Sequence, residues 1–294
     1  MAATTTVFVP HLDTQAGFRL SNGRVDPAKP TVVMINSMCT TAALFEPQFS
    51  SARLTDAVNL LAIEPLGHGA TRSRASEHFT YWDSALVALQ VMESLGVDKA
   101  YALGTSQGGW IVTRMALLKP DKILGLLPLG TSMDGESADS RTKGCWDAPP
   151  LAAVFLEKWA DTPNFVVGDD WIGAVIASGF GTSATEADSA FWTKTLREVY
   201  SGSEGLKKLR VAVMCLAERD GLLFRVRDVK CPVHWLQGTN DQVYSTQVPA
   251  EHIKLFTSSK DAKLDFVENG VHFLSSSHPK EVEDAILGMV TKRH

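Results

Sequence analysis

The run at residues 99–118, KAYALGTSQGGWIVTRMALL, constrains the fold of this chain more than any other stretch. Its first part is a near-continuous apolar run of strand length, and helical spacing begins at Gln107. Ser106 stands at the junction, with Gly104 and Gly108 on either side. A strand that passes so abruptly into a helix crowds its own backbone, and residues without a Cβ relieve the crowding. The same turn directs the free N–H groups of the helix N-terminus toward any negative charge that develops beside Ser106.

Other apolar runs of strand length lie at 31–36 (TVVMIN), 58–65 (VNLLAIEP), 122–130 (KILGLLPLG), 233–238 (VHWLQG) and 262–269 (AKLDFVEN). Most lack polar alternation, which suits strands buried on both faces in the middle of a parallel sheet. Helical patterns at 82–95, 110–118 and 279–290 fall between and after them. Strands alternating with helices predict an α/β fold, a mostly parallel central sheet flanked by helices. From 135 to 227 the rhythm breaks: helical stretches carry Trp146, Phe155, Trp159, Phe165, Trp171, Ile172, Phe180, Phe191 and Trp192, with no strand of the central type. The expected organisation is a core of residues 1–134 and 228–294, with a helical cap, 135–227, inserted between core strands. Most of these aromatics are expected to form the cap's own core, and a subset to line a pocket.

Composition limits the partners. Charged residues make up 21% of the chain and the net charge is −5, with no basic block, so nothing marks a nucleic-acid or anionic-membrane surface. The N-terminal residues lack a leader pattern and no run of eighteen apolar residues occurs, which predicts a cytoplasmic protein that does not enter the membrane. Cys39, Cys145, Cys215 and Cys231 are far apart and no His cluster has metal-ligand spacing, so the thiols are expected to be reduced, with no metal or cofactor. The expected partner is a small, neutral to apolar molecule.

A serine hydroxyl at neutral pH needs a base to take its proton, and the base needs an anion to fix its tautomer. Asp241 in LQGTNDQVYS and His272 in VENGVHFLSS each follow a predicted strand, in the order Ser, Asp, His. In a parallel sheet these strand exits share one edge, where loops converge over a rigid base. A turn aspartate is ordinarily a turn former and a lone histidine a packing residue; it is the combination, in order and at strand ends, that predicts Ser106, Asp241 and His272 as a triad. Asp134, one strand earlier, is the rival acid, while Asp220 reads as cap or linker. His278 reads as a capping or surface residue, and His68, between two glycines, as a loop stabiliser.

With these residues, the chain resembles the α/β-hydrolase superfamily over nearly its full length. IEPLGHGATRS (63–73) is similar to the family's D-x-x-G-x-G-x-S loop, and HFLSSSHP (272–279) to its histidine loop. The resemblance implies an α/β-hydrolase fold and an oxyanion hole built from backbone N–H groups, by position those of Met38 and Gln107. Where many members carry His-Gly, this chain has Asn36 and Ser37, expected to hold the turn rather than to donate. Serine at the nucleophile position argues against the family's dehalogenases and epoxide hydrolases, which use aspartate there. What remains is cleavage of an ester, lactone, thioester or amide, or of a carbon–carbon bond next to a ketone, and slow-turnover or receptor relatives also keep such a triad. G-x-S-Q-G followed by x-H-F and His-Pro is similar to fungal lactonases that open resorcylic macrolides. The first-ranked expectation is therefore a serine esterase or lactonase acting through an acyl-enzyme on an apolar, moderately large, ring-containing molecule. Trp146, Trp171, Trp192 and Phe273 are its expected contacts.

Overall fold

A computed structural model of the chain describes residues 4–74, 78–159 and 164–291. Eight strands form one sheet: β1 (Thr5–Val9), β2 (Thr14–Leu20), β3 (Thr31–Ile35), β4 (Asn59–Ile63), β5 (Ala100–Thr105), β6 (Ile123–Leu129), β7 (Val233–Gly238) and β8 (Ala262–Val267). Their order is β1-β2-β4-β3-β5-β6-β7-β8, with β1, β2 and β4 joined antiparallel and the pairs from β4 onward parallel. All six predicted strands are present. The β1–β2 hairpin is an addition the apolar-run criterion passes over, because β1 is largely exposed and β2 only partly buried.

The apolar runs work as two-sided strands. Val33, Ile35, Leu61, Ile63 and Ala102 pack on one face, with the helices Tyr81–Ser94 and Gln107–Leu118. Val32, Met34, Leu60, Ala62 and Leu103 pack on the other, with the C-terminal helix Pro279–Thr291. Alternate side chains of one strand point to opposite faces, so a fully apolar run feeds both cores. A capping box closes the helix at 81–94: Thr80 accepts from Asp83 N–H, and the Asp83 carboxylate accepts from Thr80 N–H.

Strand order positions the site. After β3 the chain goes to one side for β4, and it returns to the other side of β3 for β5. The loops leaving β3 and β5 therefore emerge next to each other, at the point where an open α/β sheet gathers its ligands. Between β6 and β7 the described residues form helices only, among them Ala148–Lys158, Asp169–Phe180, Glu186–Tyr200 and Gly202–Ala217. This insert has its own aromatic core: Phe155 and Trp159 meet Trp171 edge-on, with ring centroids 4.7 and 4.9 Å apart. Among the described residues no helix is long and apolar enough to cross a membrane.

Candidate active site

Ser106 sits where β5 passes into the helix Gln107–Leu118, at φ 55° and ψ −119°. Both flanking glycines are forced. A Cβ on Gly104 would lie 2.1 Å from the backbone of Gly108, and one on Gly108 would lie 2.1 Å from the carbonyl oxygen of Ile35. The serine is held from its other side as well: its N–H donates to Leu129 O at 2.9 Å, and its carbonyl accepts from Thr131 Oγ1 at 2.8 Å.

His272 leaves β8 on a short loop and is buried. Its Nδ1 lies 2.9 Å from Asp241 Oδ2 and 3.1 Å from Oδ1. An ionised carboxylate only accepts, so Nδ1 carries the proton and the neutral ring keeps its lone pair on Nε2. Asp241 is itself fixed, Oδ1 by the N–H groups of Val243 (2.8 Å) and Tyr244 (3.1 Å), Oδ2 by Gln237 Nε2 (2.9 Å). Ser106 and His272 line one cavity. The serine hydroxyl has no hydrogen-bond partner among the described residues, so its bond to Nε2 is the link still to be made, as is common before substrate arrives.

The rival acid is engaged elsewhere. Asp134 accepts from Ser137 Oγ and Ser140 Oγ, both at 2.5 Å, and these bonds hold its carboxyl below the usual range against the opposing effect of burial, the largest single influence on it. Asp220 pairs with Arg114 and takes a bond from Trp82. His278 Nδ1 meets only its neighbour, Ser277 Oγ. His68 is buried, and burial depresses its pKa to about 4; it contacts the Gln107 side chain rather than the cavity.

The N–H groups of Met38, on the β3 exit loop, and Gln107, at the start of the helix after Ser106, donate to no partner among the described residues. Asn36 ties its own turn, donating to the carbonyls of Ser37 (3.0 Å) and Thr40 (2.9 Å). Glu64, buried at the end of β4, adds a brace: it accepts from Ala42 N–H at 3.0 Å and Ala70 N–H at 2.6 Å, joining the β3 and β4 exit loops. Neither Glu64 nor Gln237 stands out in the sequence as a site residue. Their signal was a single polar residue closing an otherwise apolar run.

The cavity measures about 50 Å³ and is walled by Met38, Trp146, Leu151, Trp171, Val175 and Phe273, among others. Among the described residues no Asp, Glu, Lys or Arg lines it. Three of the four expected contacts, Trp146, Trp171 and Phe273, are here; Trp192 is not. It packs with Leu44, Phe180 and Phe273 in a separate cluster where the insert rests on the core, with Phe191 at its edge. The physical reason is helical phase: of the buried stripe on the helix Glu186–Tyr200, Leu196 and Tyr200 pack into the insert's own core and Trp192, one turn earlier, falls over that seam. Among the described residues there is no group of three or more His, Cys, Asp or Glu side chains placed to hold a metal ion, and all four cysteines are free.

Sheet order, strained serine turn and helical insert define the architecture: the chain has the α/β-hydrolase fold. Residues 30–143 match the family model described as alpha/beta hydrolase fold. A protein of Stutzerimonas stutzeri (strain A1501), provisionally assigned as the carbamate hydrolase RutD, is 27% identical over 158 residues, 52% of this chain and 57% of that protein, so the match spans little more than half of either. Among solved structures, a thermophilic esterase from Thermogutta terrifontis superposes with TM-score 0.76 at 15% identity, covering 99% of this chain and 98% of that one. An enol-lactonase from Burkholderia xenovorans LB400 gives TM-score 0.75 at 18% identity, covering 97% and 100%. At such identities the likeness is one of fold.

Proposed function

We propose that this chain is a serine hydrolase that opens an ester or lactone bond of a compact, uncharged, apolar molecule through an acyl-enzyme. The observation that carries the reading is the pairing of His272 Nδ1 with Asp241 Oδ2 at 2.9 Å, beside a serine held at positive φ in the same apolar cavity. Such a pairing orients the imidazole to take the proton of Ser106 as its oxygen attacks the carbonyl carbon. The carbonyl oxygen then gathers charge against the N–H groups of Met38 and Gln107. Each donor of this kind is worth on the order of 3 kcal/mol in the transition state. Expulsion of the alcohol, protonated by the imidazolium, leaves the acyl-enzyme, and water activated by the same histidine releases the acid.

Size and polarity support the substrate class. A cavity of about 50 Å³ is far below the roughly 300–1,000 Å³ of pockets that enclose drug-sized ligands. A compact acyl group or small lactone suits it better than the moderately large ring system expected from sequence, and the absence of charged walls disfavours ionic substrates. That an esterase and an enol-lactonase share the fold is in keeping with this reading. Turnover of p-nitrophenyl acetate and butyrate tests it. Wild type is expected to hydrolyse both and to be labelled at Ser106 by a fluorophosphonate, and Ser106→Ala and His272→Ala to be folded and inactive. A wild-type protein that neither turns over nor labels would refute the proposal.

A further inference from the structure

We propose that the side chain of Gln107, braced by His68, is a positioning residue that keeps the two oxyanion donors in register. The proposal rests on the hydrolase reading above. Gln107 contributes one donor through its own backbone N–H, and its side chain reaches across to the loop that carries the other. Gln107 Nε2 donates to Asn36 O at 3.3 Å, the carbonyl from which the turn bearing Met38 departs. The same nitrogen lies 3.0 Å from His68 Nε2.

The direction of these bonds follows from His68. Its Nδ1 lies 2.8 Å from Leu66 O, and a carbonyl only accepts, so Nδ1 holds the proton and Nε2 is the acceptor. That assignment orients the Gln107 amide with its nitrogen toward His68 and Asn36, and its Oε1 toward Tyr81 O–H at 3.3 Å. The buried amide therefore has a partner at each end, and a reversed amide would set oxygen against the oxygen of Asn36. Burial keeps His68 neutral down to about pH 4, so its acceptor role persists through the working range of an imidazole base.

Packing alone gives no reason for an amide here. Gln107 is 2% exposed, and a methionine would fill similar space without a desolvated polar group to satisfy. The brace is anchored from above as well: Tyr200 O–H donates to Gly67 O at 3.1 Å and Lys208 Nζ to Gly69 O at 2.6 Å, gripping the loop on both sides of His68. Insert, glycine loop, Gln107 and the β3 exit thus form one connected support beneath the oxyanion site.

The test compares Gln107→Met, His68→Leu and His68→Gln with wild type on p-nitrophenyl butyrate. It also measures affinity for an alkylboronic acid, which forms a tetrahedral adduct with the serine. For Gln107→Met and His68→Leu we expect kcat to fall by about tenfold to a hundredfold, somewhat less than deletion of a donor. KM should stay within about twofold, boronate affinity should weaken by a factor similar to that in kcat, and fluorophosphonate should still label Ser106 to completion. His68→Gln, whose Oε1 can accept from Gln107 Nε2, should recover most of the loss. The inference is overturned if both loss variants keep wild-type kcat and boronate affinity, whatever their melting temperatures, or if His68→Gln is as impaired as His68→Leu. A wild-type protein without turnover or labelling would instead overturn the hydrolase reading, and this inference with it.

Discussion

Ser106 occupies a backbone conformation that costs a non-glycine residue on the order of 1–3 kcal/mol and persists only where the surroundings over-determine it. Here the surroundings are hydrogen bonds to Leu129 and Thr131 and two glycines with no room for a Cβ. Gly104→Ala and Gly108→Ala are each expected to lower stability by more than about 3 kcal/mol, because the obstacle is main chain rather than a movable side chain; a chemical denaturation midpoint close to wild type would contradict this. Asp241→Asn should leave the fold intact and cut kcat on the order of 10⁴-fold, since the histidine tautomer is no longer fixed. Asp134→Asn, whose carboxylate serves Ser137 and Ser140, should stay within about twofold of wild type in the same assay. At this scale the placement of Ser106, Asp241 and His272 at strand exits was legible because each stands at the end of an apolar run in a turn-forming context. Gln237 and Glu64 were not, because an isolated polar residue closing a strand has no pattern until its partners are known.

The elements of the sheet were readable where burial on both faces removes polar alternation, and opaque where it does not. The β1–β2 hairpin lies at an edge, and its exposed Thr and Phe residues blur any pattern. In the insert, helical spacing marked the helices, but which aromatic faces the cavity depends on how each helix is rotated. Trp146 lies on the cavity wall, its backbone N–H donating to Val243 O at 2.9 Å on the Asp241 loop, whereas Trp192 fills the seam between insert and core. Trp192→Ala should therefore cost about 3–5 kcal/mol of stability, as large-to-small core changes do, with the ratio of butyrate to acetate turnover unchanged. Trp146→Ala should shift that ratio toward the longer acyl chain with a small change in melting temperature. If Trp192→Ala moved the ratio more than Trp146→Ala, the assignment of wall and seam would be reversed.

Over the whole molecule, the insert is held to the core partly through Lys208, which lies beside Tyr200, Arg72 and Glu64 and donates to Gly69 O. Burial first, and then Arg72, lower its pKa from 10.5 to about 7, against the pull of Glu64. Between about pH 7 and 10.5 the unfolded chain holds the extra proton, so stability linked to Lys208 rises with pH across that window, and the cost of burying the charge is fully present below it. Relative to wild type, Lys208→Met should melt highest near pH 6, with an advantage that shrinks by roughly half at pH 9 and is gone only toward pH 10.5; a difference independent of pH would refute the shift. The chain by itself determined the strands buried on both faces, the helices that flank them, and which residues stand at those strand exits, because burial imposes periods that a sequence displays. Only the tertiary structure decided that β4 and β5 fall on opposite sides of β3, that Gln107 spans two loops through its amide, and that the cavity is small. Those depend on relative rotation and packing of elements distant in the chain, for which no local period exists.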